Sequence, residues 1–139
     1  FTVDSISTQI LSRPEAESLD LKTGLKGFGR SAIYNSLDPL WSNYERLAYS
    51  EGVRFPELAV AIAERVDAGI DMVRDFIVAC VDREGGSVTD PHRIAAAFVL
   101  ALRGFYAAEL LRSRIPGDDE INKYVDDLVD LTLAARAEW

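Results

Sequence analysis

Between Pro56 and the pair Gly85-Gly86 the chain carries one unbroken helical pattern. Leu58, Ile62, Val66, Gly69, Val73, Phe76 and Cys80 recur at the three- and four-residue steps of a single helix face. A second apolar strip, Ile70, Val78 and Val81, leaves only a narrow polar face of Glu64, Asp71, Asp75 and Asp82. A helix that is apolar on two sides must be covered on both, so this segment is expected at the centre of the fold with other elements around it. Sustained period-2 alternation and the turn dipeptides of short β-hairpins are missing elsewhere, which leaves an all-α bundle as the fold class.

Start and stop chemistry divides the rest into about six helices. Asp38-Pro39 and Asp90-Pro91 each place an oxygen-bearing N-cap before a proline at the first helical position. The helix after Pro39 runs to about Ser50, with Trp41, Tyr44, Leu47 and Ala48 on its apolar side. The helix after Pro91 is Ala-rich and runs to about Arg114, before Pro116. The last begins near Asp118, where three acidic residues suit the positive end of the helix dipole, and runs to about Ala137 with Ile121, Val125, Leu128 and Leu131 inward. Two earlier segments, Val3 to Ser12 and Leu19 to Leu37, complete the count, joined by a polar linker from Glu15 to Ser18. Gly24, Gly27 and Gly29 weaken the second of these, since each costs about 1 kcal/mol inside a helix.

The 139 residues are expected to form a single domain, 1–139, and the opening at Phe1 without an initiator Met suggests a piece of something longer. The lone Cys80 excludes an internal disulfide or a multi-thiolate zinc site and fits a reducing cytoplasm. The apolar runs fall short of the roughly 18 residues of a membrane span, so no membrane partner is expected. The net charge of −8 supplies no cationic stripe for phosphates, so binding of DNA by these residues alone is not expected.

Two constellations suggest binding. On the Ala-rich helix, Ala97, Ala101, Gly104, Ala108 and Leu111 follow one narrow line, a spacing that lets another helix approach closely, either within the chain or between subunits. The amphipathic last helix, through Leu128 and Leu131, favours an intersubunit four-helix bundle. Trp41, Tyr44, Met72, Phe76, Phe98, Leu102 and Phe105 are candidates to line an apolar pocket, although any single one of them reads more readily as plain core. Glu109, on the face of Phe98 and Phe105, is either a carboxylate at the pocket edge or an ion-pair partner of Arg112.

Catalytic and metal signals are weak. His92 is the sole histidine, placed in a first helical turn, and Ser87, Asp90 and His92 are close in sequence without triad geometry. No E-x-x-H pair for a di-iron bundle exists, and the ladder Asp67, Asp71, Asp75 reads as a solvated face. The G-x-G-x-x-A match at Gly27, Gly29 and Ala32 lacks the preceding strand of a dinucleotide-binding unit. No catalytic residue, metal or cofactor is expected.

The run Arg54-Phe55-Pro56-Glu57-Leu58, the Asp90-Pro91 start with Gly104-Phe105 deep in its helix, and the ending from Pro116 through Asp119-Glu120-Ile121 to Asp126-Asp127-Leu128-Val129-Asp130-Leu131 together resemble the C-terminal regulatory part of TetR-family transcriptional regulators. The resemblance implies a homodimer paired through the helices Pro91–Arg114 and Asp118–Ala137. It further implies a small-molecule effector held by the preceding helices; the aromatic lining suggests that it is largely apolar, and Glu109 that it bears a cation. In the intact protein, expected to be a cytoplasmic repressor, binding would change the spacing of two N-terminal helix-turn-helix domains. That DNA-binding module has no counterpart in these residues, so DNA is a partner only through it. Two other readings stay open. One is a stand-alone helical module for small-molecule binding or dimerisation; the other is a small helical enzyme, with only Glu109 and His92 as candidates for its chemistry.

Overall fold

The computed structural model describes residues 19–139, so the expected helix Val3 to Ser12 and the linker Glu15 to Ser18 lie outside the described residues. Those described form an all-α bundle of five α-helices and a terminal 3-10 turn. They are α1 (Leu21–Leu37), α2 (Pro39–Glu51), α3 (Pro56–Arg83), α4 (Pro91–Leu111) and α5 (Asp118–Ala134), with the turn at Arg136–Glu138.

The helix starts follow from local chemistry. The Asp20 carboxylate accepts from the Thr23 N–H at 2.9 Å, Asp38 from Leu40 at 3.0 Å and Asp90 from Arg93 at 3.1 Å. Each satisfies an orphan donor of a first turn, worth typically about 1 kcal/mol. α4 stops at Leu111, three residues short of the expected Arg114, because Ser113 turns into the left-handed region at φ 54° before Ile115-Pro116. α5 gives way to the 3-10 turn after Ala134 rather than continuing to Ala137.

α3 and α4 form the centre, with α1 and α5 on one side and α2 across their other end. Leu25 and Phe28 of α1, Val73, Phe76 and Ile77 of α3, Phe98 and Leu102 of α4, and Val125 and Val129 of α5 share the main core. Fully burying side chains of this kind stabilises by about 1.5–3 kcal/mol each. The α1 glycines now have a reason: a Cβ on Gly24 would lie 2.0 Å from the Phe76 ring tip, and one on Gly29 2.9 Å from Val125. Bare backbone lets α3 and α5 approach, which offsets the poor helix propensity.

Three details differ from the sequence reading. Leu131 is 70% exposed, and Val129 takes its inward place because α5 is buried along Ile121, Val125 and Val129. Leu47 is likewise exposed, while Glu45 turns inside. And α4 is by length and composition apolar enough to cross a membrane, although no uninterrupted apolar run suggested it. Its inner face is core, and its two interior charges, Arg103 and Glu109, both engage ion-pair partners.

Candidate functional site

The described part of the molecule has a second, smaller core where α2 crosses α3 and α4. Asp38 and Pro39 set the direction of α2, and helical spacing then turns Trp41, Glu45 and Ala48 inward. Trp41 stacks on Tyr44 with ring centroids 5.3 Å apart and packs with Ala48 and Ile62. One turn beyond Ile62 on α3, Arg65 lays its guanidinium 4.0 Å from the centre of the Trp41 ring. Such a desolvated cation–π contact is worth about 2 kcal/mol or more.

α4 completes the cluster. Arg103 donates through Nη1 to Glu45 Oε1 at 2.8 Å and to the Tyr106 hydroxyl at 2.9 Å, and through Nη2 to the Tyr49 hydroxyl at 3.0 Å. Glu45 is fully buried, and its second oxygen, Oε2, has no hydrogen-bond partner among the described residues. Arg65 is 8% exposed and makes no hydrogen bond or ion pair among the described residues. Burial pulls the Arg65 pKa below the ordinary arginine value, against the attraction of Tyr106 and Glu45. Burial, followed by the Glu45 charge, raises the Tyr106 pKa, so that phenol is a neutral hydroxyl at pH 7.

A cavity of about 40 Å³ opens beside these groups. Phe28, Val66 and Leu102 give it apolar walls, and Ser36, Arg65 and Tyr106 give it polar ones. Val66 and Arg103 line both this cavity and an open cleft of about 360 Å³ between α2, α3 and α4, which Tyr49, Ile62, Asp67 and Leu100 also border. The inner cavity alone is far below the roughly 300 Å³ of a small-molecule pocket; cleft and cavity together reach that range.

Of the residues singled out from the sequence, Leu102 lines the cavity, and Trp41, with Tyr44 stacked on it, forms the floor beneath Arg65. The others are dispersed. Phe76 and Phe98 are main-core residues, and Met72 packs against that core. Phe105 stacks on Tyr124 of α5 at 4.3 Å. Glu109 is buried between Arg114, at 2.9 Å, and Arg112, at 3.4 Å. Glu45, Arg65, Arg103 and Tyr106 did not emerge from the sequence. The signal they offered was position, since 41/45/48, 62/65/69 and 99/103/106 are stripes at helical spacing that are buried except at the half-buried Gly69 and Arg103.

The opposite side of α4 is different. Ala97, Gly104 and Leu111 are exposed, Ala101 and Ala108 half-buried, and a Cβ on Gly104 would meet nothing within 4 Å. On α5, Leu131 is exposed beside a half-buried Leu128. The groups of three or more histidine, cysteine and carboxylate side chains that hold metals are absent among the described residues.

Residues 23–137 match the family of AefR-like transcriptional repressor C-terminal domains. The chain belongs to this family. It is a TetR-family C-terminal domain, the regulatory part of a transcription regulator, and the family is not one of enzymes. No curated protein and no solved structure matches the chain.

Proposed function

We propose that this TetR-family domain binds a small effector and pairs with a second copy of itself, and that in the intact, cytoplasmic protein effector binding controls DNA binding by a helix-turn-helix domain, as a repressor does. The observation that carries this reading is the two-sidedness of α4. Its inner residues Leu102, Arg103 and Tyr106 border the cavity, and its outer line of Ala97, Ala101, Gly104 and Ala108, continuing to Leu111, carries small or exposed side chains. One rigid helix therefore touches both the effector site and the face offered to the partner, where Leu128 and Leu131 of α5 join it. A ligand that shifts α4 changes how two subunits pack, which is the differential contact any allosteric coupling requires.

Gly104→Leu tests the pairing. Within one chain the new side chain meets open space, and leucine favours helix over glycine by about 0.8 kcal/mol. The fold should be kept while the close helix approach is blocked. Light scattering should show a dimer for the unaltered chain and a monomer for the variant; an unchanged dimer would overturn the interface.

A further inference from the structure

We propose that the effector carries an anionic group, a carboxylate on a small apolar body, and that Arg65 is the residue that binds it. This rests on the effector-binding reading above and adds the chemical class of the ligand. The α2–α3–α4 corner holds two guanidinium groups, Arg65 and Arg103, against one buried carboxylate, Glu45, while Asp67 borders the outer cleft from an exposed position. Arg103 takes up that carboxylate directly at 2.8 Å and is held further by two tyrosine hydroxyls. Arg65 is left with the face of Trp41, 4.0 Å away, and with the cavity whose wall it forms. Glu45 attracts Arg65 without bonding it, a cation buried to this extent with no hydrogen-bonded anion is expensive, and the guanidinium fork is the side chain best suited to a bidentate carboxylate.

The surroundings fit that ligand class. Tyr106 and Ser36 place hydroxyls on the same wall as Arg65 in the inner cavity, and the adjoining cleft, which shares Val66 and Arg103 with it and adds Ile62 and Leu100, has the room for the apolar body that the inner cavity lacks. A cationic ligand would face both guanidinium groups, with only the neutral hydroxyls of Ser36 and Tyr106 on that wall to accept from it. A neutral apolar ligand would leave Arg65 as buried as before and still with no hydrogen-bonded anion.

The test uses the 139-residue chain with Trp139→Phe, so that indole fluorescence reports Trp41 alone, the chain having two tryptophans. Phenylacetate, its amide 2-phenylacetamide and the cation 2-phenylethylamine share one skeleton and differ in charge. Phenylacetate should perturb Trp41 emission saturably, the amide should bind at least about tenfold more weakly, and the amine should not bind. Arg65→Met should erase the advantage of carboxylate over amide, and Arg65→Lys should restore part of it. Met is close to volume-conserving and leaves the Glu45–Arg103 pair neutral, so circular dichroism should show an intact fold. Should Arg65→Met fail to fold, the three-probe comparison on the unaltered side chain decides alone. Equal binding of amide and carboxylate, preference for the amine, or a carboxylate advantage that survives Arg65→Met overturns the proposal while leaving an effector site in place. Silence from all three probes also overturns it, and the light-scattering test of Gly104→Leu then judges the dimer separately.

Discussion

The two cores of this domain solve burial in opposite ways. The main core among α1, α3, α4 and α5 is almost wholly apolar, with Phe28, Phe98 and Leu102 at 1–2% exposure and two glycines trimmed to admit their neighbours. The α2 corner buries a carboxylate and an arginine, half-buries a second arginine, and leaves one carboxylate oxygen unsatisfied. Stability comes mainly from the first. The second retains polar groups that cost desolvation and return little unless something else uses them, which is the usual signature of a site.

The sharpest way to test that division is to damage each core in turn. Phe98→Ala should be the most destabilising, by about 4 kcal/mol, because it empties a close-packed centre that cannot collapse. Denaturant unfolding would measure it, and a loss under about 1 kcal/mol would mean the main core is not as tight as its burial implies. In the corner, Arg103→Met should cost about 3 kcal/mol by leaving Glu45 buried without its partner. The double variant Glu45→Leu with Arg103→Met should recover most of that loss. If the double variant is instead the sum of two large losses, the corner is structural, and its polarity is not held in reserve for a ligand.

Close approach in the main core can be probed with two glycines on one helix. Gly24→Ala should destabilise by about 2 kcal/mol, since its Cβ would overlap the Phe76 ring. Gly27→Ala, three residues on, meets nothing within 4 Å and should stabilise by about 0.5–1 kcal/mol through helix propensity. Equal effects at the two sites would show that α1 tolerates a shift away from α3.

The main core was legible in the sequence because its residues are apolar at helical steps, a pattern that survives without knowledge of what packs where. Asp-Pro starts and the Gly85-Gly86 stop gave element boundaries for the same local reason. The corner was not legible. Glu45, Arg65 and Arg103 are charged, and a charge on an amphipathic helix reads as solvated unless the neighbouring stripe positions are noticed. Their contacts join α2, α3 and α4 across 24 to 58 residues of sequence, and helical periodicity carries no information at that range. Leu131 shows the opposite limit: an apolar residue at a plausible step reads as inward, whereas Val129 fills that place and Leu131 is left exposed.

The smallest expected effect separates buried from exposed ion pairs. At the α4–α5 turn Arg114 bonds both Glu109 and Glu120, and Glu120 is solvent-exposed, unlike Glu45. The hydrogen bond from Arg114 is the main cause lowering the Glu120 pKa below its ordinary 4.5, opposed by slight desolvation. A lowered folded-state value contributes stability above the unfolded pKa, and that contribution is lost as pH falls through the folded value. Glu120→Gln should therefore lower Tm slightly at pH 7, and the difference should close on acidification below the ordinary carboxylate range. Salt should shrink it too, since water and ions screen an exposed pair. The Arg103→Met loss should resist salt, because Glu45 has no exposed surface through which ions could screen it. If added salt reduced both losses alike, the α2 corner would be wet rather than buried, and Arg65 would have no unmet charge for an effector to satisfy.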